Sequence, residues 1–263
     1  KKHKLYVIED ACQAPGVKYK DEYVGGIGHV GVFSFNEPKN IQTGEGGMIV
    51  TNDPLIAKKS RLIRNHGEGI ADETWSNDDL INIIGHNFRM TELTAALGIA
   101  QLSRLEDLNK VRIENANYLI ENLQNIDNLI MPKFSTNSVP HAFPMRYTGK
   151  EIERNKIIKA LVAEGINVGM GYLKPLYENE MFLRKIAYGK DGYPWSKSKI
   201  SYNSGDCPIA ENLIKNEFIW FYQIAAPNDF KDMDDVIAAI KKVFSQLEEL
   251  KNVHVDKKIN YKW

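Results

Sequence analysis

The stretch that decides the fold is Val7-Ile-Glu-Asp10-Ala-Cys-Gln13, followed within the first fifty residues by Ser34-Phe-Asn-Glu-Pro-Lys39-Asn and Thr43-Gly-Glu-Gly-Gly-Met48. Leu5 to Ile8 is a continuous apolar, β-rich run, as expected of a strand buried on both faces of a mainly parallel sheet, with Asp10 just past its C-terminal end. Val30 to Phe35 and Met48 to Thr51 read as two further strands. They are joined by a polar loop from Asn36 to Gly47 that contains Lys39. Gly44 to Gly47 lacks the lysine and spacing of a P-loop and reads as a turn.

Outward from this core, Asp53-Pro54 supplies an N-cap and a first-turn proline for a helix through Ile63, stopped by Gly67. Asp72 to Asp79 reads as exposed loop. Thr91 caps an alanine-rich helix from Glu92 to Leu102, and leucines and isoleucines at helical spacing extend a long amphipathic helix from Leu105 to about Leu123. The spacing then predicts a strand over 142–147, a helix over 151–164 ended by Gly165, and a strand over 166–171. Asp229 caps a last helix to about Leu250. The expected organisation is α/β: a large domain over 1–130, a smaller C-terminal α/β domain over 131–250, and a polar tail over 251–263.

Composition bounds the partners. The chain has 263 residues, and its 34 basic side chains cancel its 34 acidic ones, so no nucleic-acid or other polyelectrolyte partner is implied. The two cysteines, Cys12 and Cys207, form no CxxC or Cys/His cluster, and the six histidines show no metal spacing, so no metal is expected. His29 and His66 read as structural or surface residues. A reducing cytoplasm fits this cysteine usage. No run approaches the roughly 18 apolar residues of a membrane span.

An acid at one strand end, and a hydroxyl at another followed by a loop lysine, are the three groups that pyridoxal phosphate needs. They are a carboxylate for the pyridinium nitrogen, a phosphate ligand and a Schiff-base amine. Alone, Asp10 reads as the cap of the following turn and Ser34 as a strand-end turn former. Together with Gln13, Lys39 and the GEGG turn, the pattern resembles the DegT/StrS-type family of sugar aminotransferases. The resemblance implies the aspartate-aminotransferase-like fold (fold type I), with an incomplete large domain and a smaller C-terminal domain.

The same resemblance implies the site. Lys39 is the cofactor-linking lysine and the base for proton transfer; Asp10 pairs with the ring nitrogen; Gln13 meets the phenolic oxygen or the ring; Ser34 contacts the phosphate. Asn87 reaches the cofactor phosphate of the other subunit of a homodimer; Arg89 and Glu92, on the same segment, are assigned no role. Tyr172 and Lys174 face the substrate, and Cys207-Pro-Ile-Ala-Glu211 fixes a turn nearby. The implied reaction moves an amino group from glutamate or glutamine to a keto group of a nucleotide-linked sugar, or of a keto-cyclitol, in polysaccharide or antibiotic sugar biosynthesis. In that family the counterpart of Val7 to Asp10 lies well inside the polypeptide. The chain therefore reads as the C-terminal two-thirds of a longer enzyme, or else as a remnant without independent activity.

Overall fold

A computed structural model describes residues 2–68, 83–135 and 137–254. The expected loop at 72–79 lies outside these. Two compact units are present: Lys1–Glu114 with Phe134–His141, and Asn115–Lys133 with Ala142–Trp263. The division thus falls inside the long helix and not at residue 130, and the segment from Phe134 returns to the first unit.

The first unit is built on strands β1 (Ile8–Asp10), β2 (Lys18–Tyr19), β3 (Glu22–Tyr23), β4 (Val30–Ser34) and β5 (Gly47–Val50). β1 and β4 are parallel and β5 is antiparallel to β4, giving a mixed sheet in the order β1-β4-β5; β2 and β3 form a separate hairpin. Two expectations are corrected here. The first strand starts at Ile8, not Leu5, and Asp10 is its last residue. Nor is this run buried, since Leu5 and Ile8 are each 69% exposed. β1 pairs along one edge only among the described residues.

Helix α1 (Pro54–Arg64) is capped by Asp53, whose carboxylate accepts from Leu55 N at 2.8 Å and Ile56 N at 3.1 Å. Gly67, at φ +75°, closes it by donating to Leu62 O at 2.8 Å. Helix α2 (Glu92–Leu102) is capped by Thr91, which accepts from Thr94 N at 3.2 Å. Helix α3 (Leu105–Leu123) follows directly. α3, Phe33, Phe35, Met48, Ile99 and Leu102 line an apolar cavity of about 790 Å³.

The second unit holds an antiparallel sheet of β6 (Leu129–Ile130), β7 (Phe143–Tyr147) and β8 (Phe218–Phe221). α4 (Arg154–Ala163) packs on α7 (Phe230–Ser245), burying Ile157, Ile158, Leu161, Met233 and Ile240 completely. α5 (Glu180–Leu183) and α6 (Pro208–Asn212) are short. The stretch expected as a strand over 166–171 forms only one bridge, Gly169 to Trp220, whereas β8 pairs along its length with β7. A capping box at Asp229 and Asp232 starts α7. That helix ends at Ser245 and a 3-10 turn, Leu247–Asn252, replaces the first residues of the expected tail. The turn is held: Lys156 Nζ donates to Lys251 O at 2.6 Å and Lys159 Nζ to His254 O at 3.0 Å.

Candidate active site

Strand alternation sorts the first unit's residues onto two faces. Asp10 pairs with Val32 and Glu9 with Gly31, so Asp10, Val32 and Ser34 share one face of the sheet while Glu9, Gly31 and Phe33 share the other. Parallel pairing puts the ends of β1 and β4 side by side, and the loop bearing Lys39 leaves from that same end. The open end of such strands is where α/β sheets bind ligands.

Asp10 is exposed and lies below the usual carboxylate range. The Cys12 side chain and backbone N–H hold it there, with a further contribution from the Lys39 charge. The Cys12 N–H donates to Asp10 Oδ1 at 3.2 Å. Burial, the hydrogen bond between its side chain and Asp10, and the Asp10 charge push the Cys12 thiol up, so it stays protonated beside the carboxylate. Lys39 is half-buried; its N–H donates to Asn36 O at 3.0 Å, a turn that starts the loop. Ser34 Oγ accepts from Asn36 N at 3.3 Å. A hydroxyl that accepts through a lone pair keeps its proton for an anion. Gln13 is exposed, one residue past Cys12 in the turn after β1.

Asn87 lies on a segment docked along the end of α1. His86 N donates to Ile63 O at 2.8 Å, and Phe88 N to Arg64 O at 2.9 Å. Arg89 Nη1 donates to Asn65 Oδ1 at 2.8 Å and Arg89 N to Asn87 Oδ1 at 3.4 Å. Asn87 itself is exposed.

Tyr172 and Lys174 belong to the second unit and are exposed, with Tyr172 near enough to Tyr222 to help push that phenol's pKa up after burial. In the Cys207 to Glu211 segment, Tyr177 donates its phenolic hydrogen to Glu211 Oε1, which also accepts from Gly205 N at 2.7 Å. Burial and this bond push Tyr177 up to about 12.

Sequence reasoning missed two groups near Lys39. Arg112 is buried and donates to His141 O at 2.9 Å. Burial, then the charges of Lys39 and Arg112, pushes His141 down to about 4, so its imidazole is neutral near pH 7. Only the three-dimensional return of the 134–141 segment brings His141 here, and no local signal announces it.

The α/β architecture is that of the fold type I aminotransferases, with Asp10, Ser34 and Lys39 at one sheet end. A family model of DegT/DnrJ/EryC1/StrS aminotransferases matches residues 1–219, and the chain belongs to that family. It is 30% identical over 253 residues to the spore coat polysaccharide biosynthesis protein SpsC of Bacillus subtilis, spanning 92% of this chain and 60% of that one. Over 171 residues it is 37% identical to GDP-perosamine synthase of Caulobacter vibrioides, 63% of this chain and 44% of that protein. Helicobacter pylori PseC, an aminotransferase of pseudoaminic acid biosynthesis, superposes with a TM-score of 0.74 at 26% identity, covering 93% of this chain and 61% of PseC. The chain spans about 60% of the length of the curated relatives it matches along most of its own length.

Proposed function

We propose that the protein is a pyridoxal-phosphate-dependent aminotransferase that moves an amino group from glutamate or glutamine to a keto group of a nucleotide-linked sugar, with a keto-cyclitol as second acceptor. The observation that carries this reading is the Asp10 carboxylate, held low by Cys12 and the Lys39 charge at the end of a parallel strand pair. An anion that stays ionised at neutral pH fits a protonated pyridine nitrogen, and a hydroxyl-bearing strand end fits a phosphate. Asp10, Gln13, Ser34 and Lys39 would hold the cofactor. When bound, it supplies an electron sink for the carbanion formed at the amino-bearing carbon.

The chain's own residues do the rest. Asp10 keeps the ring nitrogen charged. Ser34 anchors the phosphate and so fixes the ring against the lysine. The Lys39 amine, when free, would take and return the proton at the reacting carbon. Neutral His141 adds no competing positive charge there. Asn87, exposed on its docked segment, would serve the cofactor phosphate of a second copy in a homodimer. Tyr172 and Lys174 are offered to the sugar or its phosphates. The cysteine usage supports a cytoplasmic enzyme, and among the described residues no helix is long and apolar enough to cross a membrane.

Borohydride reduction of the intact natural polypeptide, followed by peptide mapping, is expected to leave the cofactor on Lys39. Lys39→Ala is expected to slow amino transfer by ~10³-fold. Amino transfer at the native rate by Lys39→Ala would falsify the assignment.

A further inference from the structure

The mechanism above leaves Glu9 without a task, yet its carboxylate accepts three backbone hydrogen bonds. Its Oε2 accepts from Gly25 N at 2.7 Å, and its Oε1 from Ile27 N at 2.8 Å and Gly28 N at 2.5 Å. Three backbone donors on one carboxylate hold it ionised, and burial is outweighed. The residues around it are glycines for a steric reason. A Cβ on Gly31 would sit 2.1 Å from Gly25 O, and one on Gly28 would sit 2.9 Å from Val7 O. Residue 29 completes the grip: His29 N donates to Val7 O at 2.9 Å while Val7 N donates to His29 Nδ1 at 3.0 Å.

β1 needs such a grip. It has three residues and pairs along one edge among the described residues, and Ile8 is 69% exposed. Its own apolar contacts do little to fix its height or tilt against β4. Glu9 and Asp10 are adjacent and project to opposite faces, so a shift of one carries the other.

We propose that Glu9 is a positioning residue: by drawing the N–H groups of Gly25, Ile27 and Gly28 onto one face of β1, it fixes the strand that presents Asp10 on the other. This rests on the assignment of Asp10 to the ring nitrogen. Glutamate suits the task because both oxygens are used at once. Glutamine retains Oε1 for Ile27 and Gly28 but turns an amide donor toward Gly25 N. Alanine retains nothing.

The test uses the intact natural polypeptide loaded with pyridoxal phosphate, and reads the pH midpoint of the visible absorption of the bound cofactor. Glu9→Ala is expected to move that midpoint in the same direction as Asp10→Asn, Glu9→Gln to move it less, and Glu9→Ala/Asp10→Asn to move it no further than Asp10→Asn alone. Faster amide exchange at Gly25, Ile27 and Gly28 accompanies the shift. A Glu9→Ala protein that melts earlier but keeps the native midpoint, where Asp10→Asn moves it, overturns the positioning role. A native midpoint in Asp10→Asn shows instead that the Asp10 assignment failed, and the proposal falls with it. If Glu9→Ala does not accumulate, Glu9→Gln decides the matter on the same reading.

Discussion

The buried guanidinium of Arg112 donates to the carbonyl oxygen of His141 at 2.9 Å, placing a permanent cation behind an imidazole that burial already holds near 4. The unfolded chain binds a proton at His141 below about 6.5, whereas the folded chain refuses it until about 4. Stability is therefore complete above pH 6.5 and falls as pH drops toward 4, by about 3 kcal/mol from this one group. Urea unfolding at pH 7 and pH 4.5 should show the loss, and His141→Gln should remove that part of it.

Arg154 is 4% exposed and donates to three carbonyls, Ile214 O and Phe218 O at 2.9 Å and Lys215 O at 3.1 Å. Arg154→Met keeps the volume but strands those acceptors. The expected cost is about 3 kcal/mol, read as a lower urea midpoint with an unchanged slope.

Gly31→Ala drives a methyl into the Gly25 carbonyl, backbone against backbone. A clash of that kind cannot be relieved by a rotamer change, so destabilisation of about 3 kcal/mol is expected. Thermal melting of the variant beside wild type checks it.

Glu211→Ala releases the Tyr177 phenol and the Gly205 N–H together. The Tyr177 pKa should fall from about 12 toward the ordinary 10, visible in ultraviolet titration, and the Gly205 amide should exchange faster.

The helices were legible where caps and apolar spacing agree. α2, α3 and the start of α7 each carry such a signal in Thr91, the leucines of α3 and Asp229. α4 begins at Arg154, not Glu151, because Glu153 caps it without a side-chain bond and so leaves no mark. The β2–β3 hairpin escaped notice for a similar reason: its turn residues Lys20 and Asp21 adopt φ +49° and +69°, positions that glycine or asparagine usually advertises. Asp10, Ser34 and Lys39 stand out as candidates in the sequence because each is announced by its neighbours along the chain. Glu9, Arg112 and His141 were not, since their partners lie many residues away and are mostly backbone atoms.

Behind Lys39, the next residue is tied down. Asn40 is 4% exposed, and its side-chain amide donates to Asn109 Oδ1 at 3.1 Å, while Asn109 Nδ2 donates to Pro15 O at 3.0 Å. The loop that carries the lysine is therefore pinned to the helix and to the turn after β1, one residue from where the amine departs. What is left to move is the four-carbon arm itself. A group that must let go of one atom, visit another and come back does so as a crane on a fixed mast, searching only its own torsions. Each return thus costs side-chain entropy and no reordering of the loop.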